Sequence, residues 1–431
     1  MKSFPTIILV IFGFFIIAGV IAVASYGKFG SSGSGDVPAQ AVLWGTLDKN
    51  MIDKAVQLFN EKNDNILTIT YTQFSEEAFD AKLTEALAEN RGPDAIILSQ
   101  ERLLKHEKKI YPIPFQNLPE RTFRDTFIEG AELFVGTDGI LAFPLAVDPM
   151  VLYWNRTLFN AAGIAQPPLL WEEITALVPK LTKSDTAHNV LQSAIALGEY
   201  RNVNHAKEIL ALMMMQAGNP ITIRTENGVM SSISERFGLS EVPADSALRF
   251  YTEFANPVKP SYSWNRSLIA SKDLFVRGDL AMYLGFSGEL FGIREQNPNL
   301  NFDVTRMPQV RDAVQKSTFG TIYAIAILNQ SPTKANAFQA ATILTSKEMS
   351  PFFLDILGLP PARRDALSQV PTDPYKAVFY NDALISRGFY DPDPVQTNAL
   401  FSTLIEDVTS GRVSISQAVS QANGRMSQLL E

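Results

Sequence analysis

The chain has 431 residues, 46 % hydrophobic and 19 % charged, which suits a large buried core in two domains or one large one. A formal net charge of −8 with no basic cluster argues against nucleic acid and anionic membrane surfaces as partners. The absence of cysteine excludes a thiol nucleophile, disulfides, thiolate-bound zinc and a lipid-modified N-terminal cysteine.

Thr6–Ala24 is an apolar run without charge, preceded by Lys2. It is long enough to span a bilayer core at about 1.5 Å per residue. Ala22-Val23-Ala24 is also an A-x-A pattern that a signal peptidase could cut before Ser25. Both readings, a retained anchor over 1–25 or a cleaved signal, export the remainder of the chain. Residues 26–37, rich in Gly and Ser, are expected to form a flexible linker.

Ala41–Trp44 reads as a first strand, and Lys49–Asn63 as a helix with apolar residues at helical spacing and Asp48 as its N-cap. Ile66–Tyr71 alternates as a strand does. Ser75–Asn90 is a second amphipathic helix, with Phe79, Leu83, Ala86 and Leu87 on one face. Gly92-Pro93-Asp94 turns into the strand Ala95–Leu98. Strand, helix, strand, helix, strand predicts an α/β fold with a doubly wound, mostly parallel sheet. Ligands of such sheets sit at the carboxyl ends of strands, so Trp44–Leu47, Ser99–Arg102 and Ala146–Asp148 become candidate site loops. His106, His188 and His205 are too scattered to pair as metal ligands, and no metal or cofactor is expected.

A strand-like run over Ile140–Val147 ends at Asp148, and a second β-rich run comes next over Met150–Tyr153. Asn155 and Arg156 open a short helix that stops at Gly163. Pro167–Pro168 leads to Trp171, which opens another helix with Glu172 and Glu173 where negative charge suits the helix dipole. Trp171–Asn301 is expected to be mostly helical. Within it, Thr222–Ser240 reads as a polar loop, the methionines of Glu208–Gln216 as core filling, and Ala281–Leu284 as a strand. Phe302–Pro308 and Gly320–Leu328 read as further strands. The tail, Tyr375–Leu430, reads as helical with a break at Asp391–Pro394.

The order of Pro144, Asp148, Tyr153, Asn155, Leu158, Phe159, Gly163, Ile164, Pro167, Pro168, Trp171 and Glu172 resembles the extracellular solute-binding protein family of sugar-type ABC importers, the class that includes maltose-binding protein. Phe275, Gly278, Asp279, Ala281, Met282 and Gly285 resemble a second motif of that family, and the run Gly320–Glu348 a third. One departure is Trp154–Asn155, where Tyr-Asn is commoner. The resemblance implies a two-lobed periplasmic-binding-protein fold that crosses between lobes three times. Residues 38–143 and 320–370 would form one lobe, and 144–319 and 371–431 the other. It also implies a receptor on the extracytoplasmic face that binds a sugar by hinge closure and delivers it to an ABC permease, without being an enzyme. The implied ligand residues are Trp44, Glu101, Arg102, Asp148, Trp264, Phe286, Tyr323 and Arg363, with Tyr262 as a weaker candidate. Carboxylates and guanidinium groups would bond the sugar hydroxyls, and aromatic rings would cover its C–H faces. Two other functions compete. A tethered glycosidase would use two carboxylates, although no G-x-S-x-G motif or metal spacing accompanies them. An anchored sensor or scaffold of the same fold would present ligand to a partner other than a permease.

Overall fold

The computed structural model describes residues 39–62, 67–187, 189–311, 313 and 315–431. The N-terminal segment 1–25, the linker 26–37, Ile66 and His188 lie outside the described residues. Among the described residues, no helix is long and apolar enough to cross a membrane.

Ten strands join in one sheet: β1 Ala39–Gly45, β2 Leu67–Gln73, β3 Ala95–Ser99, β4 Phe143–Asn155, β5 Lys183–Ser184, β6 Val190–Ile195, β7 Leu280–Phe286, β8 Phe302–Thr305, β9 Thr318–Ile327 and β10 Ser386–Arg387. The spatial order is β2-β1-β3-β9-β4-β7-β6-β5, with β8 also paired to β4 and β10 to β9. Helices cover this sheet, giving a two-lobed α/β architecture.

The expected strand–helix alternation is present at the start. Asp48 accepts from the backbone N–H of Met51 to cap the helix Lys49–Lys62. Ser75 caps the helix Glu76–Ala88, which buries Phe79, Leu83 and Leu87. Strands β1 and β3 pair in parallel. The centre of the sheet is not mostly parallel, however. Strand β9 runs antiparallel to both β3 and β4, and β4 antiparallel to β7 and β8. The two long strands run in opposite directions, so a mixed sheet replaces the parallel one expected from local alternation.

Strand β4 is one continuous element, where the sequence suggested two runs. Its first part, Phe143–Pro149, pairs with β9, and its second, Met150–Trp154, pairs with β7. The exchange of partners falls at Pro149, which has no N–H to donate to a ladder. Tyr153 and Trp154 are buried in one large core with Trp171, Trp264, Phe275 and Phe401. The stretch after Trp171 is also less helical than expected. It carries β5, β6 and β7, and Thr222–Thr225 pairs with Gly228–Ser231 as a hairpin instead of forming a polar loop. Asn227-Gly228 is the turn signal that the loop reading passed over.

Gly320 sits where β9 crosses. A Cβ there would stand 2.5 Å from the Cβ of Ser386 on β10 and 3.1 Å from Val147 on β4. Gly320→Ala is therefore expected to cost ~1–3 kcal/mol by overpacking. Urea unfolding would read this as a lowered midpoint at unchanged slope, and an unchanged midpoint would show that the crossing has room to give.

Candidate ligand cleft

Five of the eight residues singled out in the sequence meet in one cleft of about 240 Å³: Glu101, Arg102, Asp148, Phe286 and Tyr323. Glu76, Ser99, Thr321 and Pro394 complete its lining. The cleft lies where β3 and β7 end and where β4 and β9 pass side by side, as the strand-end rule requires.

Each position has a local cause. Gln100 is buried just after β3; its amide donates to the Gly320 carbonyl (3.2 Å) and its oxygen accepts from the Ile322 N–H (2.5 Å). This stitches the Ser99–Arg102 turn to β9. Side chains alternate along a strand, so Thr321 and Tyr323 face the cleft while Ile322 points away. The Tyr153 hydroxyl donates to the Phe286 carbonyl (2.7 Å), which fixes the end of β7. His205 then meets the Phe286 ring edge-on at 4.8 Å, and its Nε2 lies 2.5 Å from Oε1 of Glu289.

Asp148 is the chemical centre. Its Oδ1 accepts from the Ser287 hydroxyl (2.6 Å) and the Gly288 N–H (2.9 Å). Burial pushes its carboxyl up to about 6, against the pull of those two donors. No hydrogen bond within the described residues engages Oδ2, which is left for a donor in the cleft.

Arg102 plays a different part from the one expected. Its Nη1 donates to Asp80 (2.8 Å) and its Nη2 to the carboxylate (2.6 Å) and carbonyl (2.9 Å) of Glu76. Burial alone would lower its pKa, yet Asp80 and Glu76 hold it above the ordinary value. The guanidinium thus orients Glu76 at the rim. Glu101 pairs with Lys207 at 3.1 Å. Burial raises the Tyr323 hydroxyl well above the phenolic range, so it stays a neutral donor.

The other three residues lie elsewhere. Trp264 has no exposed surface and donates its indole N–H to Asn202 (3.0 Å), so it packs the core and offers no ring face to a ligand. Trp44 is half-buried against Phe74, with ring centroids 4.7 Å apart, and does not line the cleft. Arg363 donates twice to Asp365 (2.9 and 2.8 Å) and once to the Thr345 carbonyl (3.3 Å), which consumes its fork. The sequence reasoning missed Glu76, Thr321 and Pro394. Glu76 comes after the carboxyl end of β2, so the rule that selected the other loops also reaches it.

A larger cleft of about 620 Å³ includes Gly130, Arg124, Glu129, Arg224, Arg387 and Tyr390. Its arginines stand beside carboxylates, although the buried Arg224 Nε and Arg387 Nη2 make no hydrogen bond. Arg124 pairs with Glu120 (2.8 Å), Arg224 with Glu107 (2.8 Å) and Arg387 with Glu129 (2.6 Å), and Arg224 covers the Tyr390 ring at 4.7 Å. Size favours this cleft, but the smaller one holds the open carboxylate oxygen of Asp148. Among the described residues, no group of three His, Cys, Asp or Glu is placed to hold a metal.

Residues 54–379 match the family model described as bacterial extracellular solute-binding protein. A binding protein of Brucella abortus (strain 2308) is 22 % identical over 358 residues, covering 81 % of each chain. Among solved structures, the chain is similar to a cyclo/maltodextrin-binding protein complexed with maltotetraose (TM-score 0.72, 16 % identity, 92 % of this chain and 98 % of that one). It is likewise similar to the cyclic α-maltosyl-1,6-maltose binding protein from Arthrobacter globiformis (TM-score 0.73, 16 % identity, 91 % and 99 %). At such identities these structures speak for the fold.

Proposed function

Because the chain belongs to the bacterial extracellular solute-binding proteins, we propose that it is the extracytoplasmic receptor of an ABC importer and binds a carbohydrate in the Asp148 cleft. The observation that carries this reading is the pairing of an open carboxylate oxygen on Asp148 with the Phe286 and Tyr323 rings in one cleft. Hydroxyls need acceptors of that kind, and sugar C–H faces need flat apolar cover. Similarity to structures named for maltodextrin and cyclic maltosyl-maltose binding supports the same class. At about 240 Å³ the cleft falls below the ~300 Å³ at which drug-sized pockets begin, so a ligand of one or two sugar rings fits best.

In this reading the mechanism is closure of two lobes about β4, β9 and β10, and the closed form is what a permease recognises. No bond of the ligand is broken. The run 6–24 serves export, as a retained anchor or a signal cut before Ser25, and the intact mass of the recovered protein separates the two.

A thermal-shift screen of the full chain against mono- and disaccharides, polyamines, amino acids and small phosphates tests the assignment. A sugar at about 100 times its dissociation constant should add ~2.7 kcal/mol of stability and be recovered unchanged. Stabilisation by another solute class alone would remove the carbohydrate assignment, and a hydrolysed sugar would revive the glycosidase.

A further inference from the structure

The turn Ser287–Glu289 follows β7 directly, and all of its residues are engaged. The Ser287 hydroxyl and the Gly288 N–H hold Asp148. Glu289 reaches back instead. Its Oε1 accepts from the Phe286 N–H (3.2 Å) and lies 2.5 Å from Nε2 of His205. Its Oε2 accepts from the Tyr283 hydroxyl (2.8 Å) and stands 3.1 Å from the Lys272 ammonium. An ionised carboxylate only accepts, with about four lone-pair sites to offer. Burial alone would raise the Glu289 carboxyl, yet His205, Lys272 and Tyr283 bring it down to about 2.

His205 is held in place from its own side as well. Its backbone is left-handed, at φ 61°, just before the helix Ala206–Gln216. A side chain other than glycine keeps that conformation where its surroundings dictate it. Asn204 supplies part of the hold: its N–H donates to the Ser271 hydroxyl (2.9 Å), and its side-chain oxygen accepts from the Lys272 N–H (3.0 Å). The same stitching brings Lys272 to Glu289. Burial would lower the His205 imidazole, but Glu289 outweighs it, with Glu208 and Asp148 pulling the same way, and the ring is held above its ordinary range.

We propose that Glu289 is a positioning residue of the Asp148 cleft: its one carboxylate sets the Phe286 ring, through the Phe286 N–H and through His205, which meets that ring edge-on at 4.8 Å. An amide in its place would turn an N–H group toward a donor whichever way it faced. Any effect on affinity rests on that cleft being the ligand site, whereas the positioning does not.

The test therefore begins without ligand. The chain has three histidines, so in full-length protein labelled at His and Phe and deuterated elsewhere, His205→Gln and Phe286→Leu assign the two rings by NMR. In the wild type the His205 and Phe286 rings should share an NOE cross-peak, and His205 should titrate above the ordinary ~6.5. Glu289→Gln should abolish the cross-peak and bring the titration down. If Glu289→Gln does not fold, Lys272→Gln, at a partly exposed partner, takes its place with the opposite sign: without the competing cation, His205 should titrate higher. An unmoved His205 titration in the folded variant overturns the proposal, as does a cross-peak that Glu289→Gln retains. Isothermal titration with mono- and disaccharides then reads the consequence. Glu289→Gln should weaken binding by about 10-fold, the size of one lost aromatic contact. Unchanged affinity with the cross-peak lost would also overturn it. A wild type that binds no sugar would sink the carbohydrate reading instead, and the NMR result would still decide the role of Glu289.

Discussion

Asp148→Asn is expected to lower affinity for the ligand by roughly 10- to 100-fold at pH 7.5, because a hydrogen bond to a charged group contributes ~1.5–3 kcal/mol. The substitution keeps an oxygen where Oδ1 accepts from Ser287 and Gly288, so the loop after β7 stays in place. It also removes a charge whose burial has pushed the carboxyl up to about 6, so the melting temperature should not fall. The pH profile separates the two proteins. Wild-type affinity should fall as pH drops through about 6 and the carboxylate takes a proton, while the Asn variant should bind with a flat profile. Isothermal titration between pH 5 and 8 reads both effects. Wild-type affinity in the variant at pH 7.5 would take Asp148 out of the site.

The second large effect concerns stability. Asp382 has no exposed surface, and its Oδ1 makes no hydrogen bond. Burial pushes its carboxyl up to about 7, although Arg306 at 3.8 Å and the Met307 N–H pull the other way. An ordinary aspartate titrates near ~3.9, so between that pH and about 7 the folded chain binds more protons here than the unfolded chain. Stability contributed by this group therefore falls as pH rises through the window, and above it the buried charge costs ~4 kcal/mol. Asp382→Asn should remove much of that cost and stabilise the fold at pH 8, with little change at pH 4. Urea unfolding of both proteins across that range checks the difference. Parallel profiles would mean that Asp382 is charged and compensated in the native state.

Relief of buried charge thus has opposite consequences at the two aspartates. Asp148 keeps a free oxygen at a cleft, and its charge serves binding. Asp382 sits on the helix Pro374–Leu384, where its side chain accepts from the Met307 N–H of the chain leaving β8.

Local chemistry in the sequence determined a good deal. Asp48 caps the helix assigned to it, Ser75, read as the first residue of its helix, is that helix's cap, Asn155 caps the short helix Arg156–Ala161, and Gly163 follows it with a positive φ of 70°. These features act over a few residues, so the order of residues suffices to read them. The same holds for the turn after β3 that carries Glu101 and Arg102, since ligand clefts of such sheets form at the carboxyl ends of strands; Asp148 reaches the cleft from the middle of the continuous strand β4, and Trp44, at the end of β1, does not reach it. Tertiary structure decided what those side chains were free to do. Trp264 and Arg363 have the right chemistry for a sugar, but Asn202 takes the indole and Asp365 takes the guanidinium. Arg102 reached the cleft only to be held by Asp80 and Glu76. Asp365 is only two residues from Arg363, but Asp80 and Glu76 lie 22 and 26 residues from Arg102, Asn202 lies 62 from Trp264, and Lys207 meets Asp391 across 184. Pairing over the longer separations is set by tertiary packing, which no local pattern encodes.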